Sequence, residues 1–193
     1  MYYHRRADGI VEKGGSGMPT EIVFTLTGPD RVGIVEDVSE ALLSLRGNIA
    51  TSRMVRLGGE FAVLMLVSLP AEAVDDLEAA FVPLTSQGYT ITTRATEERA
   101  SLRDWPRYRL DVRAADREGV LHEIAHELAL RGVSIESMEI ETIEAPMSGS
   151  PLGCLSALVA VPPQLAEEQL RAELRDAGHR SNVDVVLTPL NAQ

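Results

Sequence analysis

Residues 28–36, Gly-Pro-Asp-Arg-Val-Gly-Ile-Val-Glu, return 86 positions later as Ala-Ala-Asp-Arg-Glu-Gly-Val-Leu-His at 114–122. At the same offset Leu42 and Ile49 fall on Leu128 and Ile135, and no gap is needed. A strand, a tight glycine-containing turn and a helix that recur at a fixed spacing predict two homologous modules. The 193 residues accommodate two units of roughly 75–85 residues, near the lower size at which one hydrophobic core is comfortable. Such modules have reason to pack on each other or on a second chain.

The pattern along the chain predicts the same elements twice. Residues 21–27 alternate as a strand and stop at Gly28-Pro29. Asp30 stands where a helix N-cap is expected, and Ile34, Val35, Val38, Leu42 and Leu45 follow at helical spacing. Residues 49–57 and 60–68 read as strands around the hairpin Gly58-Gly59. Pro70 opens a second helix with Val74, Leu77, Phe81 and Leu84 on one face, and Pro83 is expected to kink or shorten its last turn. Residues 89–96 form the last strand. In the second copy, strands are predicted at 107–113, 133–143, 152–161 and 181–187, with helices at 117–131 and 163–177. The hairpin 144–151 departs from the repeat, being longer and carrying two prolines.

The order βαββαβ is the ferredoxin-like plan of the α+β class, an antiparallel sheet with both helices on one face. Edge-to-edge pairing would join two such sheets into one of eight strands. The expected division is a flexible extension at 1–19, a first domain at 20–96, a linker at 97–106 and a second domain at 107–190.

A formal charge of −11 argues against nucleic acid as a direct partner, because a phosphate-binding surface needs clustered Lys and Arg. The single cysteine, Cys154, forms no internal disulfide and offers no metal-ligand spacing. No run is long and apolar enough for a membrane span, and no signal-peptide pattern opens the chain. A cytoplasmic protein without cofactor or membrane partner is the expectation.

Residues 28–49, GPDRVGIVEDVSEALLSLRGNI, resemble the ligand-binding half of an ACT domain, the small regulatory module that senses amino acids. Residues 52–66, SRMVRLGGEFAVLML, resemble more narrowly the glycine cleavage system transcriptional repressor family, which consists of two ACT domains. This resemblance covers roughly residues 20–190 and implies regulation rather than catalysis. It implies a ligand site at Asp30, Gly33, Asn48 and Ile49, near a contact between two modules. Its output would be repression of glycine cleavage genes through a partner transcription factor, with a homo-oligomer expected.

The chemistry of the turn agrees. Helix-start N–H groups and the helix dipole favour an amino acid's carboxylate at residues 28–33, which adds Gly28, Arg31 and Val32 to the site. Asp30 or the Asn48 side chain would accept from the ammonium, and Gly33 would let a ligand or neighbouring backbone approach closely. The second copy offers Asp116, Arg117, Gly119, Ser134 and Ile135. Here Glu118 replaces Val32 and Ser134 replaces Asn48, so a weaker site, serving chiefly for packing, is expected.

Two other readings compete. Modules that have lost their ligand would serve as an interaction scaffold. Alternatively, His122-Glu123-Ile124-Ala125-His126 is a literal H-E-x-x-H, the pattern of zinc hydrolases. The repeat aligns these histidines with Glu36 and Glu40, on a face opposite Ile124. No third ligand follows at metzincin spacing, so neither a metal nor a catalytic residue is expected.

Overall fold

The first unit begins with β1 (Thr20–Pro29), whose alternate residues Ile22, Phe24 and Leu26 are buried. The computed structural model describes residues 19–96, 102, 104–115, 117–144 and 151–190. The extension up to residue 18, most of the linker, the hairpin tip 145–150 and Asp116 lie outside the described residues.

After β1 come α1 (Ile34–Ser44), β2 (Asn48–Leu57), β3 (Glu60–Leu69), a 3₁₀ turn at Ala71–Ala73, α2 (Leu77–Thr85) and β4 (Thr90–Ala95). The sheet order is β2-β3-β1-β4, and every neighbouring pair is antiparallel. One face of this sheet is closed by the helices. Phe24, Val63, Met65 and Val67 pack there with Val38 and Leu42 of α1 and Phe81 of α2, the Phe24 and Phe81 rings lying 4.8 Å apart.

The second unit repeats the plan with β5 (Arg107–Ala115), α3 (Val120–Leu130), β6 (Ser134–Glu144), β7 (Pro151–Ala160), α4 (Glu167–Ser181) and β8 (Val183–Pro189), in the order β6-β7-β5-β8. Its core is Leu110, Val112, Leu128, Val159, Leu170 and Leu174. Each unit is therefore an α+β ferredoxin-like module. The boundary between the two compact units falls after residue 98.

The structure corrects several local expectations. Asp30 is not the N-cap of α1. That position belongs to Gly33, held in the left-handed region at φ 89°, and no side chain caps the helix. The chain needs three more residues to turn out of β1, so the helix starts later than the first polar residue suggests. Val35 is 42% exposed rather than inward. α2 starts seven residues after Pro70, because residues 71–73 first close a 3₁₀ turn. It runs two residues past Pro83, whose ring removes one i→i−4 bond and leaves the helix to end within its next half-turn. α4 covers Glu167–Ser181 rather than 163–177. Leu165 first closes a turn onto Pro162, and Ala166 stays extended.

Candidate ligand site at the strand–helix turns

The turn after β1 is held from several sides. The Asp30 N–H donates to the Gly59 carbonyl at 3.0 Å, and its carboxylate pairs with Arg56 Nε at 2.8 Å. Asp30 thus ties the turn to the β2–β3 hairpin. The guanidinium of Arg31 reaches the other way, donating to Asp37 and, at 3.1 Å, to Gln87 Oε1. It also lies over the Tyr89 ring, 5.8 Å from its centroid. Asp37 raises the Arg31 pKa above its ordinary value. The Arg31 Nε atom is buried and has no partner among the described residues.

Beneath the turn Tyr89 donates to the Pro29 carbonyl at 2.7 Å, and its ring lies against Gly28. A Cβ on Gly28 would come within 2.5 Å of Tyr89 Cδ1, so glycine here is a packing requirement. At Gly33 the requirement is different. A Cβ would meet nothing nearer than Arg31 Nη1 at 3.6 Å, and the positive φ is what calls for glycine. Val32 is fully exposed at the tip.

The second turn repeats the clamp. Arg117 grips Glu123 through two hydrogen bonds, 2.9 Å from Nη1 to Oε1 and 2.7 Å from Nη2 to Oε2, and also donates to the Ser181 carbonyl at 3.1 Å. With Arg117 as the leading cause, the Glu123 carboxyl is held down at about 2. Gly119 takes φ 86° as the N-cap of α3.

Asn48 and Ile49 do not join Asp30 and Gly33 in one module. Asn48 pairs with Ser68, which pairs in turn with Glu21 at the start of β1. The turn follows Pro29, eight residues further along, or ~26 Å at ~3.3 Å per residue. Ser134 and Ile135 are removed from Arg117 and Gly119 in the same way, because Ser134 pairs with Ala160 and Ala160 with Arg107. One small amino acid cannot touch both ends.

Residues 20–95 match the family model for the ACT domain. The chain belongs to the ACT domain family. A crystal structure from Galdieria sulphuraria, of a protein described only as unknown, is 33% identical over 90% of this chain and 99% of its own, with a TM-score of 0.75. A protein provisionally named a glycine cleavage system transcriptional repressor is 21% identical over 91% of this chain and 100% of its own, with a TM-score of 0.70. At that identity the second likeness is one of fold. No curated protein matches the sequence.

The two ACT modules differ in the space beside their turns. In the second, a cavity of about 170 Å³ is lined by Ala115, Arg117, Gly119, Val120, Leu121, Ile140, Thr142 and Gly153, with Val112, Cys154 and Leu155 behind. The strand register explains the opening. Gly153 faces Ala114 across β5–β7, and the matching position in the first module is Phe61, which faces Gly28. Phe61 is 8% exposed and fills the place that Gly153 leaves empty. Phe61, Gly153 and Tyr89 escaped the sequence reading because their importance depends on which residue lies opposite in the next strand.

His122 and His126 stand on the exposed side of α3 with ring centroids 6.0 Å apart. Among the described residues no cluster of three or more His, Cys, Asp or Glu could hold a metal ion. No helix is long and apolar enough to cross a membrane.

Proposed function

We propose that this regulatory ACT protein binds a small free amino acid, and that the cavity beside Arg117 and Gly119 takes it. The cavity carries the reading. Its volume of about 170 Å³ is that of about six waters at ~30 Å³ each, the size class of the smaller amino acids. The first-turn N–H groups of α3 offer donors to a carboxylate and the Thr142 hydroxyl offers an acceptor to an ammonium. Val120, Leu121 and Ile140 supply apolar walls suited to a short side chain. Arg117, engaged by Glu123, braces the turn. Glycine, suggested by the name of the more distant relative, is the smallest candidate.

Acting as a sensor requires that the ligand prefer one association state over another, because only differential affinity shifts a population. A charge of −11 supports output through a protein partner, a transcription factor among them, rather than through direct contact with DNA.

The test is a thermal-shift screen against the twenty amino acids, followed by titration calorimetry. At 100 times its dissociation constant a ligand adds ~2.7 kcal/mol, several degrees of melting temperature. Gly153→Phe, which installs the first module's side chain, should abolish the shift. Binding that survives Gly153→Phe refutes the cavity as the site, and silence toward every amino acid favours a ligand-free scaffold.

A further inference from the structure

The two modules share a fold but not the chemistry of the sheet face turned away from their helices. In β3 the odd residues Val63, Met65 and Val67 face the helices, so Leu64 and Leu66 face outward. Register places Val23 and Thr25 of β1, and Arg53 and Val55 of β2, on that same outward face. Leu64 is 49% exposed and Val55 54%. The equivalent residues of the second module follow from matching pairs. Val23 answers to Arg109, Arg53 to Glu139, Val55 to Glu141 and Leu64 to Ser156. There Ser156 donates to Asp111 at 2.9 Å, as befits a surface that meets water. A sheet of this fold thus tolerates a more polar outer face, and the first module instead gathers Val23, Val55, Leu64 and Leu66 into an apolar patch among threonines and charged residues.

We propose that this outer face of the first module is a homodimer interface, in which β1, β2 and β3 of two copies pack sheet against sheet. Size supports a second copy. Three strands of ~30 Å, with the shorter β4 adding ~20 Å at the rim, at a spacing of ~4.8 Å give about 530 Å² per copy, or a little over ~1,000 Å² in all, the size of a weak interface. Charge supports it as well. Two chains of −11 repel, and the second module's outer face carries Asp111, Glu139, Glu141 and Asp184 against Arg109 and Arg113. The first module's face sets Arg53 and Arg94 against Glu21 and, at the hairpin end, Glu60, so two copies approach there without net acidic repulsion. Aligned packing at about −30° would interdigitate Val23, Val55, Leu64 and Leu66 with their symmetry mates. The proposal stands apart from the ligand reading and differs from pairing through sheet edges.

The test is sedimentation equilibrium of the full chain from ~1 to ~100 μM, spanning the micromolar dissociation constants of weak interfaces. The wild type should be dimeric within that range. Leu64→Ser, the residue the second module carries there, should raise the dissociation constant at least tenfold. Val23→Arg/Val55→Glu/Leu64→Ser, which reproduces the second module's face, should give monomer. Val186→Glu on the other module's outer face should leave the dimer unchanged. Should the triple variant not fold, Leu64→Ser alone decides. A monomeric wild type, or a dimer indifferent to Leu64→Ser, overturns the proposal.

Discussion

Gly28→Ala tests whether the first turn is positioned by the packing of Tyr89. The new Cβ would lie 2.5 Å from Tyr89 Cδ1 and 3.0 Å from Cε1, so the ring must move. It has little freedom to do so, being 4% exposed and tethered to the Pro29 carbonyl at 2.7 Å. Overpacking of this kind costs ~1–3 kcal/mol, and a lost hydrogen bond adds ~1 kcal/mol. The expected loss is ~2–4 kcal/mol, a fall in melting temperature of roughly 10–30 °C for a unit of this size. Calorimetry and urea unfolding of the full chain would measure it.

The second module supplies the control. There the facing pair is Ala114 and Val183, in the positions of Gly28 and Tyr89, and both are buried without conflict. Tyr89→Val alone is destabilising because it removes a buried ring and its hydrogen bond. Combined with Gly28→Ala it should be less harmful than the two single costs summed, with a favourable coupling of at least ~1 kcal/mol in the double-mutant cycle. Additive costs, or a Gly28→Ala loss below ~0.5 kcal/mol, would refute the packing account.

Two further outcomes follow from the turns. The Glu123 carboxyl titrates at about 2 instead of 4.5, Arg117 being the leading cause. A lowered acid contributes stability above its unfolded pKa and loses it as pH falls through the folded one. Melting temperatures of the wild type and Glu123→Gln should therefore differ at neutral pH and converge as pH drops from about 4.5 toward 2; a constant difference across that window would remove the clamp from the account. Gly119→Ala places a Cβ no closer than 4.0 Å to Glu123 Oε1, so its cost is that of φ 86° alone. It should lose ~1–2 kcal/mol in urea unfolding, and an unchanged midpoint would show that the turn relaxes.

The topology was legible because it rests on period and punctuation, both local. Alternation in residues 21–27, helical spacing from Ile34 to Leu45 and the repeat itself lead to βαββαβ without any knowledge of contacts. Gly33 and Gly119 were correctly marked as special, but for reach rather than for backbone angle. Asp30 was misread as a cap because its partner, Arg56, is far along the chain, and only the β2–β3 register brings them together. Asn48 was grouped with the turn on resemblance. Within one module strand direction separates them, since β2 starts where β1 starts and the turn follows where β1 ends.

The repeated motif itself carries a lesson about what duplication preserves. Arg31 with Asp37 and Arg117 with Glu123 are the same clamp, spaced six residues apart in both copies. Each arginine also reaches beyond its own turn, Arg31 to Gln87 and Arg117 to the Ser181 carbonyl, so the motif reports how the turn is braced and not whether a ligand fits beside it. Open space beside the turn is decided one strand away, at Phe61 in one copy and Gly153 in the other, where the repeat does not hold. The same divergence separates Leu64 from Ser156 on the outer face. A duplicated module keeps the residues that make the fold and is free to vary the facing ones. Freed positions are therefore where the two copies can take different tasks, with the cavity left open in one and the apolar face kept in the other.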